Sequence, residues 1–197
     1  MKIIGISGVS GSGKSRLSKA LAAHFGSDLE LIHQDHFYHD QSEIAFEERL
    51  KTNYDEPQSI DFKELEEKLS KLKAKERIDI PQYNFAEHSR FPQQKSIEPK
   101  PYILVEGTMI FESDKLKNLF DLSFYVDTDL DIAISRRIAR DVEERGRTVK
   151  DILAQYLATV RPGMLEYTIK NKEKADFIFS GNQDIMDHIE EIRNLIE

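Results

Sequence analysis

Residues 8–15 read GVSGSGKS, which sets four residues between Gly8 and Gly13 and follows the second glycine with a lysine and a serine. Gly5, Gly8, Gly11 and Gly13 are four of only nine glycines in the 197-residue chain. Bare backbone concentrated at one point means that something approaches it closely. The spacing G-x-x-x-x-G-K-[ST] carries a phosphate-binding mechanism when a strand leads into it and a helix leads out. Both flanks are present. KIIGIS before it is rich in β-branched residues and suits a buried strand. Leu17, Ala20, Leu21 and Phe25 after it recur at helical spacing. Loop N–H groups over Gly8, Ser10, Gly11, Ser12 and Gly13, with the positive end of that helix, can wrap a polyphosphate. Lys14 then sits on the β- and γ-phosphates and the Ser15 hydroxyl on Mg²⁺. An ordinary glycine-rich turn is the plainer reading, and the complete match in its proper context outweighs it.

A strand–loop–helix opening constrains the rest of the fold. Further candidate strands are LELIH, YILVE, LSFYVD and ADFIF, with helical segments between most of them. That order predicts an α/β, three-layer architecture with a parallel sheet flanked by helices. Phe62, Leu65, Leu69 and Leu72 form one helical stripe, and Asp61 with Glu64 resembles a capping box. Residues 76–100 lack a helical period and hold or adjoin prolines 81, 92, 99 and 101, which predicts an inserted hairpin or flap. The closing helix reads Ile185, Ile189, Ile192, Ile196. The length and the lack of a long polar linker fit one domain over residues 1–197.

Composition narrows the classes. Zero cysteines exclude disulfides and thiolate metal sites. No apolar run approaches the ~20 residues that span a bilayer, and no secretory signal is visible, so a cytoplasmic enzyme is expected. With 36 acidic and 28 basic residues the net charge is −8, which opposes nonspecific nucleic-acid binding and requires any anion site to be built locally.

Ligands of such sheets gather beyond the carboxyl ends of the strands. Asp35 follows LELIH, Glu106 ends YILVE and Asp127 ends LSFYVD. Across from a phosphate loop, one carboxylate can take a proton from an attacking hydroxyl and another can help hold Mg²⁺; each acid taken singly reads as a turn or helix cap, but the joint placement of Asp35 and Glu106 at one edge favours them for such work. Asp127 could simply begin the next helix. That helix carries ISRRIARDVEERGR, with Ile134, Ile138 and Val142 as its expected buried stripe. Its arginines could be a solvated face paired with Asp141, Glu143 and Glu144, or a clamp on a transferring phosphoryl group. The latter predicts a lid over about residues 136–150, with Gly146 as its hinge.

Taken together, these segments resemble the uridine kinase (uridine–cytidine kinase) family. The resemblance runs through QDHFY at 34–38, NYDEP at 53–57, YNFAEHSR at 83–90, VEG at 105–107, FYVDTD at 124–129, SRRIARDVEERGR at 135–147 and QYLATVRP at 155–162. It implies a P-loop kinase using ATP or GTP and Mg²⁺, with a small-molecule nucleoside as acceptor and a homotetrameric assembly. By resemblance Asp35 is the general base, with Lys14, Arg140 and Arg145 catalytic beside it. Tyr38 lines the pocket, Asp55 and Arg137 bind ribose, and Tyr83, Phe85, His88 and Gln155 surround the pyrimidine. Arg140, Arg145 and Arg147 attend phosphates, while Asp184 touches the nucleotide or caps the last helix. Asn84 and Thr108-Met109 depart from the family pattern. His36 and His39, lacking a third ligand nearby, are expected to be solvent-facing loop residues. Ribulose 5-phosphate or nicotinamide riboside is the alternative acceptor within the superfamily. A GTPase-like switch is the alternative of another class, although Asn171-Lys172-Glu173-Lys174 has lysine where a guanine-reading aspartate would stand.

Overall fold

The computed structural model describes the backbone of all 197 residues and every side chain except those of residues 185 and 186. In chain order the elements begin with β1 (Lys2–Gly8), α1 (Lys14–Phe25), β2 (Leu29–His33), α2 (Phe46–Arg49) and α3 (Phe62–Lys73). Four short strands follow: β3 (Ile78–Ile80), β4 (Tyr83–Asn84), β5 (Ser89–Arg90) and β6 (Lys95–Ile97). Next come β7 (Tyr102–Glu106), α4 (Asp114–Lys117), β8 (Leu122–Asp127), α5 (Leu130–Glu143) and α6 (Val149–Gln155). A bulged helical stretch containing α7 (Arg161–Gly163) leads to β9 (Phe177–Ser180) and α8 (Ile185–Ile196).

The main sheet has the order β2-β7-β1-β8-β9, and all its pairings are parallel. Alternation along each strand sends neighbouring residues to opposite faces. Ile3, Ile103 and Val105 join Phe37, Leu65 and Leu69 on one side, whereas Ile4, Ile6 and Leu104 join Leu17, Leu21, Ile192 and Ile196 on the other. A sheet buried on both faces needs helices on both, which gives the three layers.

The insert is two nested antiparallel pairs, β3 with β6 and β4 with β5. Leu65, Leu69 and Leu72 of α3 are fully buried, with Phe62 packed beside them. Only half of the expected capping box forms: the Asp61 carboxylate accepts the Glu64 N–H at 2.9 Å, but Glu64 turns to Arg90 at 2.7 Å. In α8, Ile189, Ile192 and Ile196 are buried, while the side chain of Ile185 lies outside the described residues.

Helix α5 departs from the expected register. Its buried residues are Ala133, Arg137 and Asp141, and Val142 is 41% exposed. A stripe holding both a cation and an anion can turn inward because the two charges compensate each other, a pairing that apolar periodicity does not weigh. Asp127 does not open that helix either; its carboxylate pairs with Lys172 at 2.6 Å.

Candidate active site

The parallel register brings Ile6 and His33 alongside Glu106 at the carboxyl edge of the sheet, and the glycine loop begins two residues beyond Ile6. Gly11, at φ 87°, runs so close to α5 that a Cβ there would lie 2.0 Å from the Ala133 carbonyl oxygen. Only glycine lets the loop pass. Lys14, Ser15, Arg16, Lys19, His33, Asp35, Glu106, Arg136, Arg140 and Arg145 line a cleft of about 760 Å³. Its wall is rich in cations on a chain whose net charge is −8.

Glu106 is buried, accepts the Ser15 hydroxyl at 2.9 Å and lies 2.6 Å from His33 Nδ1. Burial opposes its ionisation, but the His33 hydrogen bond and the Lys14 ammonium outweigh that, and its pKa is held below the usual carboxylate value. Asp35 behaves in the opposite way. Burial first, and then the Glu106 charge, raise its pKa against the pull of Lys14, His33 and Arg145. One carboxylate is thus kept ionised while its neighbour is made more basic, the separation that distinguishes an ion-holding acid from a proton acceptor. Burial lowers the pKa of Lys14, with Glu106 and Asp35 opposing the shift.

A second cleft, of about 870 Å³, adjoins the first; Phe85, Glu144 and Arg145 border both. Tyr54, Tyr83, Phe85 and His88 form an aromatic wall, and Asp55, Arg137, Arg147 and Gln155 form a polar one. Asp55 Oδ2 accepts the Thr159 hydroxyl at 2.8 Å, and burial raises its pKa against that bond and Arg137. Gly163 makes room for it, since a Cβ there would sit 2.2 Å from the Asp55 carbonyl oxygen. Arg137 donates to Ser10 Oγ at 2.7 Å and to Gln155 Oε1 at 3.1 Å, and Arg147 donates to the same Gln155 oxygen at 2.6 Å.

Between the clefts lies an arginine hub centred on Asp141, the acid that the solvated-face alternative would leave on the surface. Asp141 is fully buried, with Arg140 at 2.8 Å, Arg145 at 3.5 Å, Arg147 at 3.6 Å and Arg137 at 3.8 Å. One carboxylate therefore holds four guanidinium groups where the two clefts meet. Gly146, at φ 62°, turns the chain after α5 so that Arg147 can point back at this hub.

A family model described as "Phosphoribulokinase / Uridine kinase family" matches residues 3–185. The chain belongs to this family. A protein named uridine kinase from Geobacillus kaustophilus is 44% identical over 93% of this chain and 88% of its own length. Another from Shewanella frigidimarina is 42% identical over 89% and 85%. Among solved structures, a phosphoribulokinase from Rhodobacter spheroides shares the fold at TM-score 0.67, with 17% identity over 91% of this chain and 69% of that one. A possible uridine kinase from Bacillus stearothermophilus is similar at TM-score 0.61, with 18% identity over 90% and 88%. Membership makes the chain a P-loop kinase. No helix of the described residues is long and apolar enough to cross a membrane.

Against this family site, several sequence expectations shift. Tyr38 borders neither cleft; its ring packs on Tyr54 and Tyr83, at 5.0 and 5.2 Å, and supports the aromatic wall from behind. Gln155 faces the arginines as well as the cleft. Asp184 stands just before α8, with Arg16 at 3.6 Å. His39 is exposed as expected, but His36 is not a free loop histidine: its Nδ1 accepts the Tyr83 N–H at 3.1 Å. Burial, His33 and Lys95 depress its pKa from 6.5 to about 4.

Since the folded value lies below the unfolded one, the unfolded chain takes up this proton first. The stability that neutral His36 contributes is therefore complete above pH 6.5 and is lost as pH falls toward 4. For a partly exposed ring we expect a loss of ~1–2 kcal/mol after solvent screening is discounted. His36→Gln keeps an acceptor at every pH, so urea unfolding at pH 7 and pH 5 should show a smaller drop for this variant than for the wild type. Equal drops would show that His36 is not held neutral.

Proposed function

We propose that the protein transfers the γ-phosphoryl group of ATP or GTP to the 5′-hydroxyl of a pyrimidine ribonucleoside, uridine or cytidine. The observation that carries this reading is the meeting of two clefts at Phe85, Glu144 and Arg145. One has a phosphate loop, cations and a basic carboxylate; the other has an aromatic wall facing a carboxylate–arginine pair. The polyphosphate lies along the loop with Lys14 against its terminal groups. Asp35 takes the proton of the 5′-hydroxyl as that oxygen bonds to the γ-phosphorus and the bond to the β–γ bridging oxygen breaks. Lys14, Arg140 and Arg145 meet the charge that develops.

The site also fits Mg²⁺. The Ser15 hydroxyl and the ionised Glu106 carboxylate lie 2.9 Å apart at the cleft edge, and Mg²⁺ is usually held by one or two protein oxygens together with substrate phosphates and waters. Bound there, it would neutralise charge on the β- and γ-phosphates.

The aromatic wall favours a flat ring over the sugar phosphate of ribulose 5-phosphate. Lys172 of the 171–174 stretch pairs with Asp127 and borders neither cleft, which disfavours a guanine-reading switch. Family resemblance supports a homotetramer, an assembly that sedimentation velocity measures, and the cysteine-free composition fits a cytoplasmic location.

Asp55 and Arg137 are read as the partners of the ribose hydroxyls. A deoxynucleoside would leave buried polar groups unpaired, and kcat/KM for deoxyuridine should fall ~10²-fold or more below that for uridine. Adenosine should be excluded by size. A coupled assay over a nucleoside panel with both donors tests the proposal; equal kcat/KM for uridine and either deoxyuridine or adenosine would move the acceptor to another class.

A further inference from the structure

A directional chain of hydrogen bonds ends at the aromatic wall of the second cleft. The Thr52 hydroxyl donates to Gln41 Oε1 at 2.7 Å, which orients the amide so that Gln41 Nε2 faces the Tyr54 hydroxyl oxygen, also at 2.7 Å. The Tyr83 hydroxyl donates to the same Tyr54 oxygen at 2.9 Å. A phenolic oxygen has two accepting positions and one proton. With both positions taken, the proton of Tyr54 goes to its remaining neighbour, His88 Nδ1, at 3.1 Å. A neutral imidazole that accepts at Nδ1 carries its own proton on Nε2.

The His88 ring is held in place for this. It packs against Tyr54 at 5.3 Å and Phe46 at 6.3 Å, and its backbone, at φ 49°, occupies the left-handed region that a non-glycine residue enters at a cost. Burial, then the Arg49 charge, lower its pKa against the weaker pull of Glu87. Among the described residues, Nε2 takes no protein partner, and His88 borders the cleft.

We infer that Tyr54, oriented by Gln41 and Thr52, fixes His88 as an Nε2–H donor, so that the cleft selects a base whose facing edge carries a carbonyl oxygen. This rests on the reading of the cleft as a nucleoside site. Along its N3 edge uracil offers a carbonyl oxygen at both flanking positions, whereas cytosine offers one carbonyl and one amino group, and an amino group facing His88 would set one donor against another. The site therefore ranks uridine above cytidine, and Tyr54 is a positioning residue for that choice.

Two measurements test this. Long-range ¹H–¹⁵N spectra of histidine-labelled wild type, with the His88 signals assigned from a His88→Asn sample, should show the Nε2–H tautomer. The wild-type ratio of kcat/KM for uridine over cytidine should be roughly tenfold, as one mismatched, part-buried donor allows. Tyr54→Phe keeps the ring and removes the relay, so the ratio should fall to within about twofold of one, chiefly through loss on uridine. An Nδ1–H tautomer in wild type, a wild-type ratio near one, or an unchanged ratio in folded Tyr54→Phe would overturn the inference. If neither nucleoside is phosphorylated, the proposed function fails instead, and the spectra still report the tautomer.

Discussion

Asp35→Asn should lower kcat by ~10²–10⁴-fold while leaving donor-nucleotide affinity within about twofold of wild type. The substitution keeps the side chain's shape in a cleft that also holds Lys14 and Glu106. What it removes is a carboxylate whose pKa burial and the Glu106 charge raise. An asparagine amide cannot accept the hydroxyl proton, so the loss falls on the transition state. Lys14→Ala makes the contrast, because it strips charge from the phosphates before and during transfer; donor KM should rise and kcat should fall together. If Asp35→Asn kept near-normal kcat, Asp35 would be a turn residue and the proton would go elsewhere.

The second large effect is expected at Asp141. Its carboxylate is fully buried and faces four guanidinium groups at 2.8–3.8 Å. Asp141→Asn retains the volume and leaves those cations without their shared counter-charge. Removing one partner of a buried ion pair typically costs ~3–5 kcal/mol, and urea unfolding should show a loss near the lower end, since Arg145 and Arg147 are partly exposed. Millimolar sulfate or inorganic pyrophosphate should recover part of that loss in the variant and less in the wild type, because an anion in the neighbouring cleft supplies the missing charge. A variant as stable as wild type would show that the hub makes no net contribution.

Much of this site was legible because its signals are local. The phosphate loop is one contiguous motif, and strand alternation with the helical stripe of α3 gives the layers directly. The carboxylates after β2 and at the end of β7 follow from where ligands collect in such sheets. The rest depends on contacts between distant segments. The inward face of α5 is hidden in the sequence because Ile134, Ile138 and Val142 outweigh a charged stripe in any apolar count. The available signal was the spacing of Arg137, Asp141 and Arg145, each four residues from the next, which places an acid between two bases on one helical face. His36 could not be read from its neighbours, since its partner Tyr83 lies 47 residues away. Tyr54 stands inside NYDEP, but only a structure shows that its hydroxyl joins Gln41, Tyr83 and His88.

The central claim is that the two adjoining clefts carry out one phosphoryl transfer between them. Phosphorus NMR of the protein with ATP, Mg²⁺ and uridine tests it most directly. The account predicts that the γ-phosphate resonance disappears as ADP and uridine 5′-monophosphate grow one for one, with no free phosphate at early times. Release of inorganic phosphate without nucleoside monophosphate, or no turnover of ATP or GTP with any pyrimidine ribonucleoside, would contradict it.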